Sequence, residues 1–177
     1  CGLCVSECTT GAQKITDGKR IFQRELCDTC TTCTQVCNQG ALTVSGKCFT
    51  AKQVVKEVVA DKPFFQNSGG GVTISGGEVL MQADFVTEIL RLLKEERIHT
   101  IIETSGYGDM ESLLKMAEYT DIFFYDFKLG DKKKFRHYIG GDVDVVFSNL
   151  RRLRKVTDQI VLRMPVIPGI TDTPDNI

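Results

Sequence analysis

The chain has 177 residues, a formal net charge of −1, 42% hydrophobic residues and 25% charged residues. That balance describes a globular protein with a core, about one domain in length or one domain with a small insert, and its bulk charge offers nothing that would attract nucleic-acid phosphate. No run approaches 18 apolar residues and no signal peptide opens the chain, so neither a membrane span nor secretion is expected. The chain begins at Cys1 rather than Met and stops just after Pro-Gly-Ile-Thr-Asp-Thr-Pro, and so reads as an internal fragment.

Residues 1–48 are poor in large apolar side chains and hold all eight cysteines. Such a stretch cannot bury enough apolar surface to fold alone and needs a staple. Its halves repeat at a period of about 29 residues, CGLCVSECTTGAQKI against CDTCTTCTQVCNQGALTV, each with Gly-Ala and then a short strand-like run. Cys27, Cys30, Cys33 and Cys37 form C-x2-C-x2-C-x3-C, which resembles the bacterial ferredoxin run except that Asn38 follows instead of Pro. Cys1, Cys4 and Cys8 read as the last three members of an identical run whose first cysteine lies before Cys1. In such runs three cysteines wrap one 4Fe–4S cube and the fourth ligates its partner. The implied wiring is crossed: Cys8, Cys27, Cys30 and Cys33 for one cluster, and Cys1, Cys4, Cys37 and the missing cysteine for the other. Structural zinc is the alternative, although it favours two separated C-x2-C pairs; a disulfide framework has no secretory context to support it. Cys48 stands outside the pattern as an idle thiol.

From residue 49 onward helical and strand periods alternate. Helices are expected at 50–60, at 82–97 with Phe85, Ile89, Leu92 and Leu93 on one face, at Met110–Tyr119 behind an Asp109 N-cap, and at 142–156. Strands are expected at Val72–Ser75, Thr100–Glu103, Ile122–Phe127 and Ile160–Ile167, with Phe123, Phe124, Tyr125 and Phe127 as sheet core. The β-α-β-α-β-α-β order argues for a parallel α/β sheet or part of a β/α barrel, with chemistry at the C-terminal strand ends. Those ends carry Gly76-Gly77-Glu78, Glu103-Thr104-Ser105-Gly106, Asp126 with Lys128, and Arg163. Glycines after a strand let backbone approach a ligand closely. Asp126 and Lys128, two apart, would share a face of an extended strand, as a ligand site or as a buried ion pair. The basic runs Lys132–Lys134 with Arg136, and Arg151-Arg152 with Arg154-Lys155, read as solvated helix faces. His99 and His137 have no second histidine at ligand spacing.

The stretch Pro63–Ser68 with GGGVTISGGE, IIETSGY, YDFK and LRMPVIPGITD, in this order, resembles the activating enzymes of glycyl radical enzymes, a group of radical S-adenosylmethionine (SAM) proteins, in the subset with a two-cluster ferredoxin-type insert. The resemblance covers the whole chain. It implies a partial (β/α)6 barrel at 49–177 and the insert with two auxiliary 4Fe–4S clusters at 1–48. It implies an S-adenosylmethionine site in which Gly76, Gly77 and Glu78 meet the methionine amino group and Asp126 and Lys128 contribute, the Lys as a point charge suited to a carboxylate. It also implies that Glu103, Thr104 and Asp126 match a monovalent-cation site of some relatives, with Ser105 nearby and Arg163 in the same pocket. The reaction implied is reductive cleavage of S-adenosylmethionine to a 5′-deoxyadenosyl radical, which abstracts a hydrogen from a glycine of the partner glycyl radical enzyme. An electron donor such as flavodoxin or ferredoxin would serve it, in the cytoplasm of an anaerobic or facultative microbe. No nucleic acid or membrane is involved. The C-x3-C-x2-C loop for the catalytic cluster is expected upstream of Cys1, so no catalytic residue is assigned within these residues. Val79, Phe135 and the Ile139-Gly140-Gly141 segment depart from residues common in the family, which bears on partner fit. Two other readings stand beside it: an electron-transfer iron–sulfur protein, and a radical SAM enzyme acting on a small molecule.

Overall fold

The computed structural model describes residues 1–176, which divide into a unit Cys1–Cys48 and a unit from Phe49 onward.

In the first unit a one-turn helix α1 (Leu3–Ser6) precedes an antiparallel hairpin, β1 (Gln13–Thr16) and β2 (Lys19–Phe22), and a second one-turn helix α2 (Thr32–Gln35) follows. The repeat seen in the sequence is a repeat of backbone geometry. Each short helix starts from a left-handed residue, Gly2 at φ 88° and Thr31 at φ 64°. Val5 N–H donates to Gly2 O at 2.8 Å as Thr34 N–H donates to Thr31 O at 2.9 Å, and Gly11 N–H reaches Cys8 O at 3.2 Å as Gly40 N–H reaches Cys37 O at 3.0 Å. Gly11 and Gly40 both have positive φ. Thr31 is the exception to the chemistry of the pattern, since a β-branched side chain is costly in a left-handed conformation. The halves diverge after Gly-Ala. QKIT forms β1, whereas ALTV stays outside any strand, having no partner like β2 to pair with. Of the buried hydrophobic side chains only Ala12 lies in this unit, while Leu3, Ile15, Ile21, Phe22 and Leu26 are exposed.

The second unit is layered. Helices α3 (Ala51–Val59) and α4 (Lys62–Ser68) lead into strand β3 (Gly71–Ile74). A single 3-10 turn (Val79–Gln82) and helix α5 (Ala83–Glu95) come next, then β4 (His99–Thr104), α6 (Met110–Ala117), β5 (Ile122–Asp126), α7 (Lys132–Tyr138), α8 (Val143–Leu153) and β6 (Ile160–Arg163). The four strands form one parallel sheet in the order β3-β4-β5-β6, as the alternating pattern requires. Caps define the helices: Thr50 and Gln53 make a reciprocal capping box on α3, and Asp109 accepts from Ser112 N–H at 2.8 Å on α6.

Strand parity separates two faces. Ile74, Ile102, Phe123 and Tyr125 point toward the helices and share a core with Leu90, Leu113, Met116 and Leu153. Ala51, Val55, Ile89, Leu93 and Ile98 form a second cluster. Each fully buried Leu contributes about 1.5–3 kcal/mol of burial free energy. On the opposite face stand Thr73, Glu103, Phe124, Asp126 and Arg163, none of them fully buried.

Four expectations change. The buried side chains of α5 are Val86, Ile89, Leu90 and Leu93, with Phe85 and Leu92 only partly buried, because the helix serves both clusters at once. Helix α4 was not expected, although Pro63 in its first turn and left-handed Gly69 at its end mark it. Helix α7, with Asp131 as its N-cap, was read only as a basic run. Strand β6 stops at Arg163, four residues before the expected end at Ile167; Pro165 lacks the N–H that a continuing ladder would use.

Candidate functional site

At the C-terminal ends of the parallel strands, Gly76, Gly77, Glu78, Glu103, Thr104, Ser105, Asp126 and Lys128 line one cavity of about 290 Å³, together with Ser75. A second cavity of about 380 Å³ shares Ser105, Asp126 and Lys128 with it and continues over Tyr107, Phe135, Ile139 and Gly141. Eight of the nine residues singled out for a ligand therefore share one space. The ninth, Arg163, reaches it through ion pairs. Its Nη1 lies 2.7 Å from Glu103 Oε1 and its Nη2 2.8 Å from Asp126 Oδ1, so one guanidinium ties β4, β5 and β6 together. Its plane also lies over the Phe124 ring at 5.0 Å. Arg163 first and the Ser75 hydroxyl second, the latter donating to Glu103 Oε2 at 2.7 Å, hold the Glu103 carboxyl below the ordinary range. Glu103, followed by Asp126, raises the Arg163 pKa in return.

Asp126 pairs with Arg163 and not with Lys128. Strand parity does not reach Lys128, because β5 ends at Asp126, where Phe127 N–H turns back to Tyr125 O at 3.0 Å. Lys128 nevertheless lines both cavities, and its ammonium enters none of the ion pairs among the described residues. Asn176 holds this loop, donating to Lys128 O at 3.4 Å and accepting from Gly130 N–H at 2.9 Å.

The loop after β4 is fixed from α8. Asn149 donates to Gly106 O at 2.8 Å and to Gly108 O at 3.0 Å, and the buried Tyr125 hydroxyl donates to Val146 O at 2.8 Å. Gly106 sits at φ 68° against that tyrosine, where an added Cβ would lie 1.7 Å from its hydroxyl oxygen. Ser75 is read in the sequence as a strand end and not as a ligand residue, and Asn149 is not singled out there. Ser75 adjoins Gly-Gly-Glu and could have been read as one; Asn149 is one polar residue in a helix and carries no such signal.

In the cysteine-rich unit, Cys8, Cys27, Cys30 and Cys33 line one small cavity with Glu7, Thr10 and Gln13. Cys1, Cys4 and Cys37 do not line it, and Cys48 is exposed. Donors point at the sulfurs: Thr29 N–H lies 3.4 Å from Cys27 Sγ and Gln13 Nε2 3.8 Å from Cys33 Sγ. The Thr10 hydroxyl foremost, and then the Gln13 backbone, lower the Cys8 thiol pKa; the Leu42 backbone does the same for Cys37. Among the described residues no three Cys, His, Asp or Glu side chains close tightly enough around a point to hold a single metal ion. His99 and His137 join no such group. No helix among the described residues is long and apolar enough to cross a membrane.

The chain is 36% identical to the isethionate sulfite-lyase activating enzyme of Oleidesulfovibrio alaskensis and 34% identical to the choline trimethylamine-lyase activating enzyme of the same organism, over 100% of its own length in both cases. It is 35% identical to the 4-hydroxyphenylacetate decarboxylase activating enzyme of Clostridium scatologenes over 99% of its length. It spans 58–59% of the length of these relatives. Among solved structures, a domain of the pyruvate-formate lyase-activating enzyme of Bacteroides vulgatus superposes with a TM-score of 0.56 at 25% identity, covering 60% of this chain and 66% of that one. The Radical SAM superfamily model matches residues 29–176. With that match over most of its length and a parallel sheet whose strand ends enclose a ligand-sized cavity, the chain belongs to the radical SAM superfamily.

Proposed function

We propose that this chain carries the S-adenosylmethionine-binding part, and an auxiliary cluster unit, of an activating enzyme for a glycyl radical enzyme. The observation that carries the reading is the single cavity shared by Gly76, Gly77, Glu78, Glu103, Thr104, Ser105, Asp126 and Lys128. The donor set suits the amino-acid end of S-adenosylmethionine. The Lys128 ammonium, outside every described ion pair, is a point charge for the carboxylate, and the exposed Gly76–Gly77 backbone can meet the ammonium. Arg163 pairs with both Glu103 and Asp126 and holds them apart, so the cavity wall stays polar without closing on itself. When bound, S-adenosylmethionine and a reduced 4Fe–4S cluster would supply the radical chemistry that removes a hydrogen atom from a glycine of the partner. The C-x3-C-x2-C run for that cluster does not occur in the 177 residues, so the reading assigns it to another part of the protein.

One of the two auxiliary clusters is supported by the cavity that Cys8 shares with Cys27, Cys30 and Cys33. This is the crossed set. A tetrahedral zinc with Zn–S bonds of about 2.3 Å draws its thiolates to about 3.8 Å from one another. A cube binds each thiolate to a different iron and needs them farther apart, which suits four thiols arranged around one cavity. N–H donors aimed at the sulfurs favour the charged cluster. Electrons would come from a donor such as flavodoxin or ferredoxin, and with oxygen-sensitive clusters the reading calls for the cytoplasm of an anaerobic or facultative microbe.

The test uses the full-length protein, reconstituted anaerobically with iron and sulfide, reduced, and mixed with S-adenosylmethionine and a co-expressed glycyl radical enzyme. The expected result is a glycine-centred EPR signal on the partner together with 5′-deoxyadenosine. Cleavage of S-adenosylmethionine with no such signal on any partner would point to a small-molecule substrate. Absence of cleavage would leave an electron carrier.

A further inference from the structure

Glu78 lines the ligand cavity, yet its carboxylate is fully occupied by the protein. Oε1 accepts from the Thr104 hydroxyl at 2.6 Å and from Leu80 N–H at 3.3 Å. Oε2 accepts from Ser105 N–H at 2.9 Å and from the Ser105 hydroxyl at 2.5 Å. A carboxylate has about four acceptor sites, and four donors already use them. Thr104 is in the same state. It is 2% exposed, its side chain faces the helices while Glu103 faces the open side, and its hydroxyl both donates to Glu78 and accepts from Gly106 N–H at 2.9 Å.

The turn that these bonds hold needs holding. Gly76 sits at φ 126°, a conformation only glycine adopts readily, with nothing within 4 Å of where a Cβ would be. Both Gly76 and Gly77 are exposed. Just beyond them Val79 is anchored in the core at 4% exposure. Two attachments therefore fix the turn from its C-terminal side: Val79 by packing, and Glu78 by charge-assisted hydrogen bonds to the end of β4.

We infer that Glu78 and Thr104 are positioning residues. They form a latch between the strand ends of β3 and β4 that presents the Gly76–Gly77 backbone to the ligand, and neither side chain contacts the ligand itself. The inference rests on the S-adenosylmethionine reading of this cavity for its functional consequence, but the latch exists without a ligand. It also separates two neighbours in the sequence: Glu103 belongs to the open face with Arg163, whereas Thr104 works from the covered side.

Two readouts on the full-length, cluster-reconstituted protein test it. The first is ligand-free hydrogen exchange of the peptide spanning 75–80. The second is equilibrium dialysis of S-adenosylmethionine against the oxidised protein. Glu78→Gln places an NH2 among donors and breaks the latch from one side; Thr104→Val removes one donor from the other. Both should speed exchange at 75–80 and weaken binding roughly tenfold, the scale of a lost charge-assisted hydrogen bond. The double variant should be no weaker than Glu78→Gln alone, because both changes break one device. Thr104→Ser, which keeps the hydroxyl, should restore both readouts. Glu78→Asp, one methylene short of reaching Thr104 and Ser105 together, serves if Glu78→Gln does not fold, and should also fail in both. If Thr104→Val matches wild type in both readouts while Glu78→Gln loses affinity, Glu78 meets the ligand directly and the inference is overturned. If wild type itself does not bind S-adenosylmethionine, the proposed function fails, and the exchange data alone decide the latch.

Discussion

The two units of this chain solve the problem of order in opposite ways. Residues 1–48 repeat a backbone pattern down to individual hydrogen bonds but bury only one hydrophobic side chain. From Phe49 onward, sequence repetition is absent, and order comes from two clusters of apolar side chains under a parallel sheet. In the first unit, cysteines and left-handed turns are the structure. In the second, the cavity-lining residues at the strand ends are passengers on a core, and their geometry is inherited from strand register. The difference teaches where each unit is vulnerable: one to loss of the clusters proposed for its cysteines, the other to a change of packing.

The largest expected effect comes from removing iron from the full-length protein. Chelation should erase hydrogen-exchange protection across 1–48 while β4, β5 and α5 keep theirs, since metal binding free energy is folding free energy where a core is lacking. Within the same experiment, Cys8→Ala and Cys33→Ala should each remove the same cluster, about four irons per chain, because they line the same cavity. If 1–48 stayed protected without iron, or if Cys8→Ala and Cys33→Ala removed different clusters, the contrast between the units would have to be redrawn.

A packing change should do the reverse. Gly106→Ala sets a Cβ 1.7 Å from the Tyr125 hydroxyl oxygen at a φ of 68°. Either the tyrosine leaves its bond to Val146 O or the loop after β4 moves. A loss of about 3 kcal/mol or more is expected in denaturant unfolding of the second unit, with iron content unchanged. Wild-type stability in this variant would show that the loop is not seated on Tyr125.

The smallest effect is electrostatic and sits at the surface of the second unit. Glu103 has its carboxyl pKa lowered, by Arg163 first and Ser75 second. A depressed carboxylate contributes stability above its unfolded-state pKa and loses that contribution as pH falls through the lower folded-state value. Arg163→Gln should therefore lower the Tm modestly at neutral pH. The gap to wild type should close as pH falls through and below the ordinary carboxylate range. A gap independent of pH would mean that Arg163 acts through packing on Phe124 rather than through charge.

Much of this was legible in the sequence, for identifiable reasons. The strands of the second unit were, because apolar runs between glycines leave few alternatives; the 29-residue repeat was, because cysteine spacing is discrete. Membership of one cavity by residues from Gly76 to Lys128 followed from a parallel sheet gathering its strand ends. The ion pairs were not legible. Whether Asp126 meets Lys128 two residues away or Arg163 on the next strand depends on where β5 stops, and that is set by a turn at Phe127 with no sequence mark. Nor was the division between Glu103 and Thr104, whose sides of the sheet follow from register rather than from their chemistry. Helix α7 was obscured by its own charge: three lysines in a row hide the one buried side chain, Phe135, that docks it.

Asn149 reaches back 43 residues to Gly106, and Arg163 reaches back 60 residues to Glu103. On a ribosome, the strand end of β4 would emerge long before the groups on α8 and β6 that pin it. Synthesis is vectorial and domains fold as units, at about 5–20 residues per second. The loop after β4 would then wait several seconds for its anchors, with its polar groups met only by water. The mouth of this cavity is thus completed only after Arg163 is made, although its first residues precede it by more than 80 positions.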